Sequence, residues 1–359
     1  MKQLLSVLNE FPDPRRKGGN FRHKLTDILI LALCAVMAGA RDFENMAFYC
    51  SSREAFFRKV LDLPHGTPSA DTFQRTLERV SPDEFQRYIS MARQILKDKW
   101  QIVNIDGKTI RRSGNSKHDP YHVVSAYIKE RMLTLGQVVT EEKSNEITAI
   151  PKLLDLIDVT GDVVTIDAMG TQIEIAKKII EKKADYILAV KGNQKELLDA
   201  ITDCFKEQNP IYTTTEKGHG RHEKREYFLY SDPEFISWLS NKKWAGLKAV
   251  GRVRSTVTQK GRTSVVDRYY ITTLTDIEKF AKSVRGHWGI ESMHWILDVV
   301  FGEDTCCARK DHSAKNMNIL RKTALTLLKE IKMNVSRPSI RGKMMAVALN
   351  PDEYLTQIF

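Results

Sequence analysis

The spacing of apolar residues changes near residue 100, and this change divides the chain. Before it, apolar residues recur at helical spacing, which predicts helices over Leu25–Ala40 and Phe43–Leu61. Ser69 and Ser81 stand where a helix N-cap is expected, each ahead of a further helix. The pattern predicts an all-helical domain over residues 1–100. Two short helices across a tight turn occur in DNA-reading helix-turn-helix motifs, but ordinary helix packing produces the same pattern.

Beyond residue 100, short apolar runs with strand character alternate with amphipathic segments. The predicted strands are Ile102–Asp106, His122–Ile128, Leu133–Val139, Val163–Asp167 and Tyr186–Val190, and the predicted helices are Ile147–Ile157, Ile173–Lys183 and Gln194–Phe205. This order, β-β-β-α-β-α-β-α, is that of the ribonuclease H-like fold, an α/β architecture with one mixed sheet. In that fold the first and fourth strands are neighbours at the centre of the sheet.

A stretch at about residues 213–275 interrupts this alternation. It is rich in Thr, Arg, Lys, Gly and Tyr, and its strand-like runs are Glu226–Tyr230, Ala249–Thr258 and Val265–Thr273. These features predict an inserted β unit that carries basic residues. A further amphipathic helix and a basic tail complete the chain over residues 312–359. Residues 101–359 are therefore predicted to form one domain around the mixed sheet.

The segment Arg285–Asp304 follows the insertion and is predicted to be a helix. Its apolar residues, Trp288 and Trp295 among them, recur at helical spacing and predict a buried face. Glu291 shares the other face with polar residues placed three and four positions apart. A carboxylate at the edge of a buried face is costly unless it pairs with a cation or binds a metal.

Two aspartates and this glutamate can form one site. Asp106 ends the first predicted strand and Asp167 ends the fourth, so the strand order alone brings the two together. With Glu291 they supply the three carboxylates that a two-metal phosphoryl-transfer site needs, because hard divalent cations prefer oxygen ligands. The sequence predicts Mg²⁺ as the cofactor, with Mn²⁺ as a substitute.

The charge of the chain favours a polyanionic partner. An excess of 56 Lys+Arg over 45 Asp+Glu gives a net charge of +11 and a pI near 9.3. Nucleic acid is the first partner that this charge favours, and an anionic membrane surface the second. The longest apolar run, Ile28–Ala38, is too short to span a bilayer. The five cysteines show no paired CxxC spacing, which predicts a cytoplasmic protein without a structural zinc site.

Several motifs, in order, resemble the insertion-sequence transposases of the ISAs type, which include the H-repeat-associated proteins. The matching stretches are residues 104–111 (NIDGKTIR), 142–151, 165–170 (TIDAMG), 189–194 (AVKGNQ), 219–223 and 287–304. The resemblance runs through the whole catalytic region, and the N-terminal helical segment is similar to the accessory domain of that family. It implies that Asp106, Asp167 and Glu291 are the three catalytic, metal-binding carboxylates of a DDE transposase.

The resemblance also implies contacts with double-stranded DNA. Many DDE transposases carry Arg four residues before the glutamate and Lys seven after it, whereas this chain has His287 and Asp298 there. His287 is either a protonated phosphate contact or a neutral histidine that hydrogen-bonds to Asp106 or Glu291. Further phosphate contacts are expected from the basic clusters Arg15–Lys17 and Lys217–Arg225. The DNA-binding residues expected from the sequence are Lys108, Arg111, Arg112, Lys191, Asn193, Gln194, His219, Arg221, Arg225, Arg285 and His287.

The function that the sequence predicts is transposition of an insertion sequence. The protein is expected to bind terminal inverted repeats, to cleave a strand at each end and to join the 3′-hydroxyl ends to target DNA. Holding two ends together requires a homodimer or a larger synaptic complex, associated with the nucleoid in the cytoplasm. Two alternatives stay open. One is a ribonuclease H-like nuclease without strand transfer, and the other is a catalytically silent DNA-binding protein derived from a transposase.

Overall fold

The computed structural model describes residues 7–15, 21–94, 100–114, 116, 119–140, 146–218, 220–240 and 243–358. The chain forms two compact units. The first comprises Met1–Lys97, Gly107–Lys143 and Glu291–Phe359, and the second comprises Asp98–Asp106 and Ser144–Ile290. The first unit therefore takes residues from both sides of the domain boundary predicted near residue 100, and that boundary stays a prediction. None of the helices in the described ranges is long and apolar enough to cross a membrane.

The order of strands and helices in the described ranges follows the predicted alternation beyond residue 100. The strands are β1 (Ile102–Thr109), β2 (His122–Ile128), β3 (Leu133–Thr140), β4 (Val163–Ile166), β5 (Asp185–Val190), β6 (Tyr212–Gly218), β7 (Arg221–Tyr230), β8 (Ala249–Gln259) and β9 (Arg262–Thr272). The helices are α1 (Leu25–Met37), α2 (Phe43–Ser52), α3 (Glu54–Phe57), α4 (Ala70–Arg79), α5 (Pro82–Gln94), α6 (Glu146–Leu156), α7 (Ile173–Glu181), α8 (Lys195–Cys204), α9 (Pro233–Ser240), α10 (Ile277–His287), α11 (Gly289–Trp295), α12 (Ser313–Glu330), α13 (Ile340–Leu349) and α14 (Pro351–Tyr354).

The first unit contains the N-terminal helices, as their apolar spacing predicted. Helix α1 is buried along almost its whole length, which is why its sequence is apolar on every side. Asp42 caps α2 and Ser69 caps α4, each by accepting a backbone N–H from the first helical turn. The predicted helix Phe43–Leu61 is divided into α2 and α3 at Arg53, whose φ of −118° and ψ of 21° lie outside the helical region.

Helix α12 forms the core of the first unit with α1, α4, α5 and β3. The strands of this unit are adjacent in the sheet in the order β3-β2-β1. Of β1, only the residues from Gly107 onward belong to this unit. Lys322 on α12 is only 3% exposed and donates hydrogen bonds to Ser125 Oγ and Gln137 Oε1 on the β2–β3 hairpin, at 2.7 and 2.8 Å. A buried ammonium group needs such partners, because an unpaired buried charge is strongly destabilising.

The second unit is built on strands in the order β1-β4-β5-β9-β8-β7-β6. Strands β1, β4 and β5 are parallel, and β9 to β6 continue the sheet as an antiparallel meander. Helix α10 covers β4, β5, β6 and β7. Its Phe280 and Val284 share one buried cluster with Val163 and Ile187 of the parallel strands and Tyr227 of the meander.

The stretch predicted as an inserted β unit is therefore continuous with the central sheet, through the pairing of β9 with β5. Two of its elements were not predicted. Strand β6 is exposed along most of its length and lacks an apolar alternation, and α9 is a helix of eight residues. Strand β7 also begins at Arg221, earlier than the predicted start at Glu226.

Candidate active site

Asp106 and Asp167 lie at the same end of two adjacent parallel strands. The register of β1 and β4 pairs Asn104 with Thr165 and Ile105 with Ile166, so the two aspartates are the next residues on the two strands. Neighbouring strands lie about 4.8 Å apart. Both aspartates are partly buried. The predicted adjacency of the first and fourth strands is confirmed.

A tight turn holds the Asp167 carboxylate. Its Oδ1 accepts hydrogen bonds from the backbone N–H groups of Met169 and Gly170, at 3.0 and 3.4 Å. A Cβ atom on Gly170 would overlap the side chains of Ile166 and Ile150, so only glycine fits there. The Thr-Ile-Asp-Ala-Met-Gly motif thus encodes a buried strand followed by a turn that orients its aspartate.

Two amides predicted to contact DNA support this same turn. Asn193 donates from Nδ2 to the carbonyl oxygen of Ala168 at 2.7 Å, and Gln194 donates from Nε2 to that of Thr171 at 3.1 Å. Each amide therefore uses one of its two donor hydrogens within the protein. The segment after β5 positions the turn that carries Asp167.

Behind the aspartates, a chain of hydrogen bonds joins Asn104, Thr165 and His287. Thr165 Oγ1 donates to Asn104 Oδ1 at 2.8 Å and lies 2.9 Å from His287 Nδ1. Burial lowers the pKa of His287 to about 4, although Asp167 raises it and Lys191 lowers it further. A histidine with this pKa is neutral near pH 7, which favours the neutral alternative over the protonated phosphate contact, and the phosphate contact stays a prediction. The hydrogen-bond partner of the ring is Thr165 rather than Asp106 or Glu291.

The helix that carries Glu291 is shorter and differently buried than predicted. Helix α10 ends at His287, α11 spans Gly289–Trp295, and a π-helical segment follows at Ile296–Val300. The burial predicted for the apolar residues of this segment is wrong for Trp288, which is 37% exposed, and for Trp295, which is 59% exposed. It is confirmed for Ile290 and Leu297, and Met293 and Phe301 are buried with them.

Glu291 is exposed in the first turn of α11. It belongs to the first unit, whereas Asp106 and Asp167 belong to the second, so the convergence of the three carboxylates stays a prediction. Within the described ranges, no group of three or more His, Cys, Asp or Glu side chains is arranged to hold a metal ion. The paired aspartates alone supply two carboxylates, which is what Mg²⁺ commonly takes from a protein when waters and substrate phosphates complete its coordination.

Lys108 pairs with carboxylates of its own unit, and the DNA contact expected for it stays a prediction. Its ammonium group lies 2.6 Å from Asp298, 2.9 Å from Glu303 and 3.8 Å from Asp304, and its side chain is only 12% exposed. Glu303 is fully buried and also accepts a hydrogen bond from Asn318 at 2.8 Å. Many DDE transposases carry a lysine at the position of Asp298. In this chain Asp298 instead forms an ion pair with Lys108.

Burial alone would raise the pKa of Glu303. The charges of Lys108 and Arg321 outweigh burial and lower that pKa to about 2, with Arg321 at 3.7 Å from the carboxylate. Glu303 is therefore a buried anion between two cations. Asp298 and Asp304 take part in this network through Lys108.

Ion pairs also engage most of the other predicted DNA-contacting cations. Arg285 pairs with Glu216 at 3.2 Å, and Arg225 pairs with Glu223 at 2.7 Å and with Glu216. Arg221 pairs with Glu223 at 2.8 Å. DNA contacts by these arginines stay predictions that require the pairs to open.

Further predicted contacts also have exposed cationic side chains. Lys191 is exposed after β5, Arg112 is exposed with its Nη1 3.8 Å from Cys307 Sγ, and Arg111 is 79% exposed although it lies 3.4 Å from Asp304. His219 lies outside the described residues, as do Arg16 and Lys17 of the N-terminal basic cluster.

Sequence reasoning missed Asn104, Thr165 and Glu303. A signal for the first two exists, because both strands end in the same pattern of a polar residue, isoleucine and aspartate. The two-residue period of a strand places Asn104 on the face of Asp106 and Thr165 on that of Asp167. Glu303 has no comparable signal, since its partner Lys108 is 195 residues away in the chain.

Comparison with known proteins identifies the family. The family model described as "Transposase DDE domain" matches residues 99–327, and the model "DDE_Tnp_1-associated" matches residues 5–91. The chain is 38% identical to "Putative transposase YncI" of Escherichia coli O157:H7, over 98% of this chain and 93% of that protein. It is 36% identical to "H repeat-associated putative transposase YhhI" of Escherichia coli strain K12, over 100% of this chain and 98% of that protein.

A solved synaptic complex of piggyBac transposase with hairpin DNA shows 9% identity and a TM-score of 0.42, covering 98% of this chain and 72% of that one. A likeness this distant adds nothing to the assignment. The two family models and the relatives that span nearly the whole chain are sufficient. The chain belongs to the DDE transposase family, with H repeat-associated transposases among its relatives.

Proposed function

We propose that this protein is the transposase of an insertion sequence and acts on the terminal inverted repeats of its own element. It hydrolyses a DNA strand at each end and then joins the freed 3′-hydroxyl groups to target DNA. The observation that carries the proposal is the register of β1 and β4, which places Asp106 and Asp167 side by side after paired strand residues. Membership of the DDE transposase family supports it independently.

The proposed catalytic fold is ribonuclease H-like. Two observations support it, namely the strand orders β3-β2-β1 and β1-β4-β5 and the switch from an antiparallel β2–β3 hairpin to parallel β4 and β5. In the proposal, the N-terminal helices of residues 1–100 are the accessory, DNA-binding part. The meander β6–β9 supplies further DNA contacts beside the catalytic strands.

The proposed cofactor is Mg²⁺, with Mn²⁺ as a substitute. Asp106 and Asp167 would hold it, with Glu291 as the third carboxylate. Divalent cations held there would supply stabilisation of negative charge during phosphoryl transfer. The chain itself orients the Asp167 carboxylate through the backbone N–H groups of Met169 and Gly170 before any cation arrives.

Double-stranded DNA, both as element ends and as target, is the proposed partner. The net charge of +11 favours it, and Lys191, Arg111 and Arg112 are the exposed cations nearest in sequence to the catalytic strands. Because two ends must be held together for joining, the proposed active form is a homodimer or a larger synaptic complex.

The test is an incubation of the protein with Mg²⁺ and duplexes that carry its own element ends and flanking DNA, followed by sequencing of the products. Cleaved ends together with joined target DNA are expected. Cleavage without joining would identify a nuclease, and binding without cleavage would identify a silent DNA-binding protein.

Variants connect this activity to the paired aspartates. Asp106→Asn and Asp167→Asn should each reduce cleavage by more than the roughly 10- to 100-fold that loss of an outer hydrogen bond costs at a metal site. DNA binding should be kept, because each change removes a negative charge near the phosphates. The matched control is Asp155→Asn, an aspartate paired with Lys178 on the surface of α6 and α7. Near-normal cleavage by either site variant contradicts the assignment.

A further inference from the structure

Packing of the sheet alone does not explain the hydrogen-bonded chain of Asn104, Thr165 and His287. Asn104 is fully buried and Thr165 is 2% exposed, and the two are direct partners in the β1–β4 register. Polar side chains are rarely placed at the centre of buried parallel strands, which are usually continuous apolar runs. Here they support a histidine from α10, whose last residue is His287.

Counting donors and acceptors determines which nitrogen of His287 carries the proton. A threonine hydroxyl has one hydrogen, and that of Thr165 is donated to Asn104 Oδ1. The contact of 2.9 Å between Thr165 Oγ1 and His287 Nδ1 must then use the hydrogen of Nδ1. In a neutral imidazole, Nε2 is left as an acceptor with a free lone pair.

Nε2 has no hydrogen-bond partner in the part of the chain that the structure describes. The Asn104–Thr165 pair lies two residues before Asp106 and Asp167, which is roughly 7 Å along the strands, on the same face of the sheet. The charged groups that act on the imidazole are Asp167 and Lys191. The free acceptor therefore lies beside the aspartates and not on a remote surface.

We propose that His287 acts in the reaction as a neutral hydrogen-bond acceptor, fixed by Thr165 and Asn104, whose Nε2 positions the attacking hydroxyl group. That hydroxyl belongs to water in strand cleavage and to the DNA 3′ end in strand transfer. The inference rests on the proposed function and assigns a role to the residue that stands where many DDE transposases outside the closer family carry arginine. Thr165 and Asn104 are positioning residues, because they act through His287.

The step balances without a further reactant. In cleavage, the water oxygen forms a bond to phosphorus while the bond from phosphorus to the bridging O3′ breaks. The proton that the water loses passes to Nε2, and O3′ leaves as a hydroxyl after taking up a proton from solvent. In strand transfer the DNA 3′-hydroxyl replaces water, and the leaving O3′ belongs to the target strand.

The tautomer can be measured without DNA, metal or activity. Nitrogen-15 NMR of the full-length protein with labelled histidine should show His287 protonated at Nδ1 and unprotonated at Nε2 at pH 7, with His287→Asn used to assign its signals. Thr165→Val keeps the side-chain shape but removes the acceptor, so the population of this tautomer should fall. A resonance that shows Nε2 protonated, or no response to Thr165→Val, overturns the inference and leaves the proposed function untouched.

A pair of variants tests the role in the reaction. The Asn side chain in His287→Asn can still donate to Thr165 but has no group at the place of Nε2, whereas the longer Gln in His287→Gln can present an acceptor oxygen there. We expect His287→Asn to lower the rate of cleavage by roughly 100-fold, as loss of a proton-accepting group does. His287→Gln should recover at least part of this loss. Equal losses, or better activity in His287→Asn, overturn the inference.

Binding measurements separate this role from a phosphate contact. With either variant, the affinity for end DNA and the slope of its logarithm against the logarithm of salt concentration should match those of the wild type. A slope smaller by about 0.9 would mean that a cationic contact had been lost. Wild-type protein that neither cleaves nor joins ends contradicts the proposed function itself, whatever the tautomer.

Discussion

At the residue scale, the paired ends of β1 and β4 show how much a sequence pattern can predict. The apolar residues ahead of Asp106 and Asp167 identify two strands in the sequence. The order of the strands then predicts that the two aspartates are neighbours, as the β1–β4 register has them. The hydrogen bond and the lowered pKa of His287 could not be predicted in this way. The hydrogen bond is to Thr165, 122 residues away in the chain, and the lowered pKa results from burial in the fold.

The state of His287 leads to a prediction about pH. Because burial lowers the pKa of His287 to about 4, its protonation does not contribute to DNA binding between pH 5.5 and 8. The pH dependence of binding to end DNA should therefore be the same in the wild type and in His287→Ala, measured by fluorescence anisotropy at constant ionic strength. Weaker pH dependence in the variant would restore the phosphate-contact interpretation.

At the scale of elements, the segment around Glu291 shows where apolar periodicity misleads. Trp288 and Trp295 have the spacing of a buried face, yet both are exposed. The guanidinium group of Arg268 lies over the ring of Trp288, 4.9 Å from its centroid. The smaller residues Ile290 and Met293 form the buried face instead. Spacing predicts that a helix has an apolar side, but it does not distinguish two overlapping sets of apolar residues.

The network around Glu303 fixes β1 to the segment that follows α11, and its removal should destabilise the protein. Glu303→Gln removes the carboxylate that Lys108 and Arg321 share. Lys108 keeps Asp298, but the buried Arg321 loses the counter-charge of Glu303, and breaking a buried pair costs about 3–5 kcal/mol. Urea unfolding at pH 7 measures the change. The control is Asp352→Asn, in which an exposed pair with Lys59 is lost and a change within about 1 kcal/mol is expected. Equal effects of the two variants would show that burial of Glu303 adds nothing.

At the scale of the whole molecule, net charge is a poor guide to which cations can meet DNA. The sequence carries 56 Lys+Arg, but ion pairs to Glu216, Glu223 and Asp267 engage several arginines of the meander. The pairs Arg225–Glu216 and Arg254–Asp267 join neighbouring strands, so sequence spacing alone did not reveal them, whereas Arg225 and Glu223 both lie on β7. The sequence also did not reveal which segments of the chain form the first unit. Asn316 on α12, for example, donates to the carbonyl oxygens of Leu77 and Val80, more than 200 residues earlier.

Buried titratable groups predict that the whole protein loses stability in acid. The pKa of His287 is lowered to about 4 and that of His294 to about 3, chiefly by burial, against about 6.5 in an unfolded chain. Between pH 6.5 and 4 the unfolded state therefore binds protons that the folded state does not, so the free energy of unfolding falls as pH falls. Glu303, with a pKa of about 2 against 4.5, adds to the loss below pH 4.5.

The measurement is urea unfolding from pH 7.5 to 4 for the wild type and for His294→Gln. Each histidine that must be neutral to fold contributes a slope of up to about 1.4 kcal/mol per pH unit within this window. Replacing His294, whose pKa burial lowers to about 3, removes one such proton and should flatten the curve. Identical slopes for the two proteins would mean that His294 is protonated in the folded state, with Glu303 as the carboxylate that the structure places near enough to stabilise it.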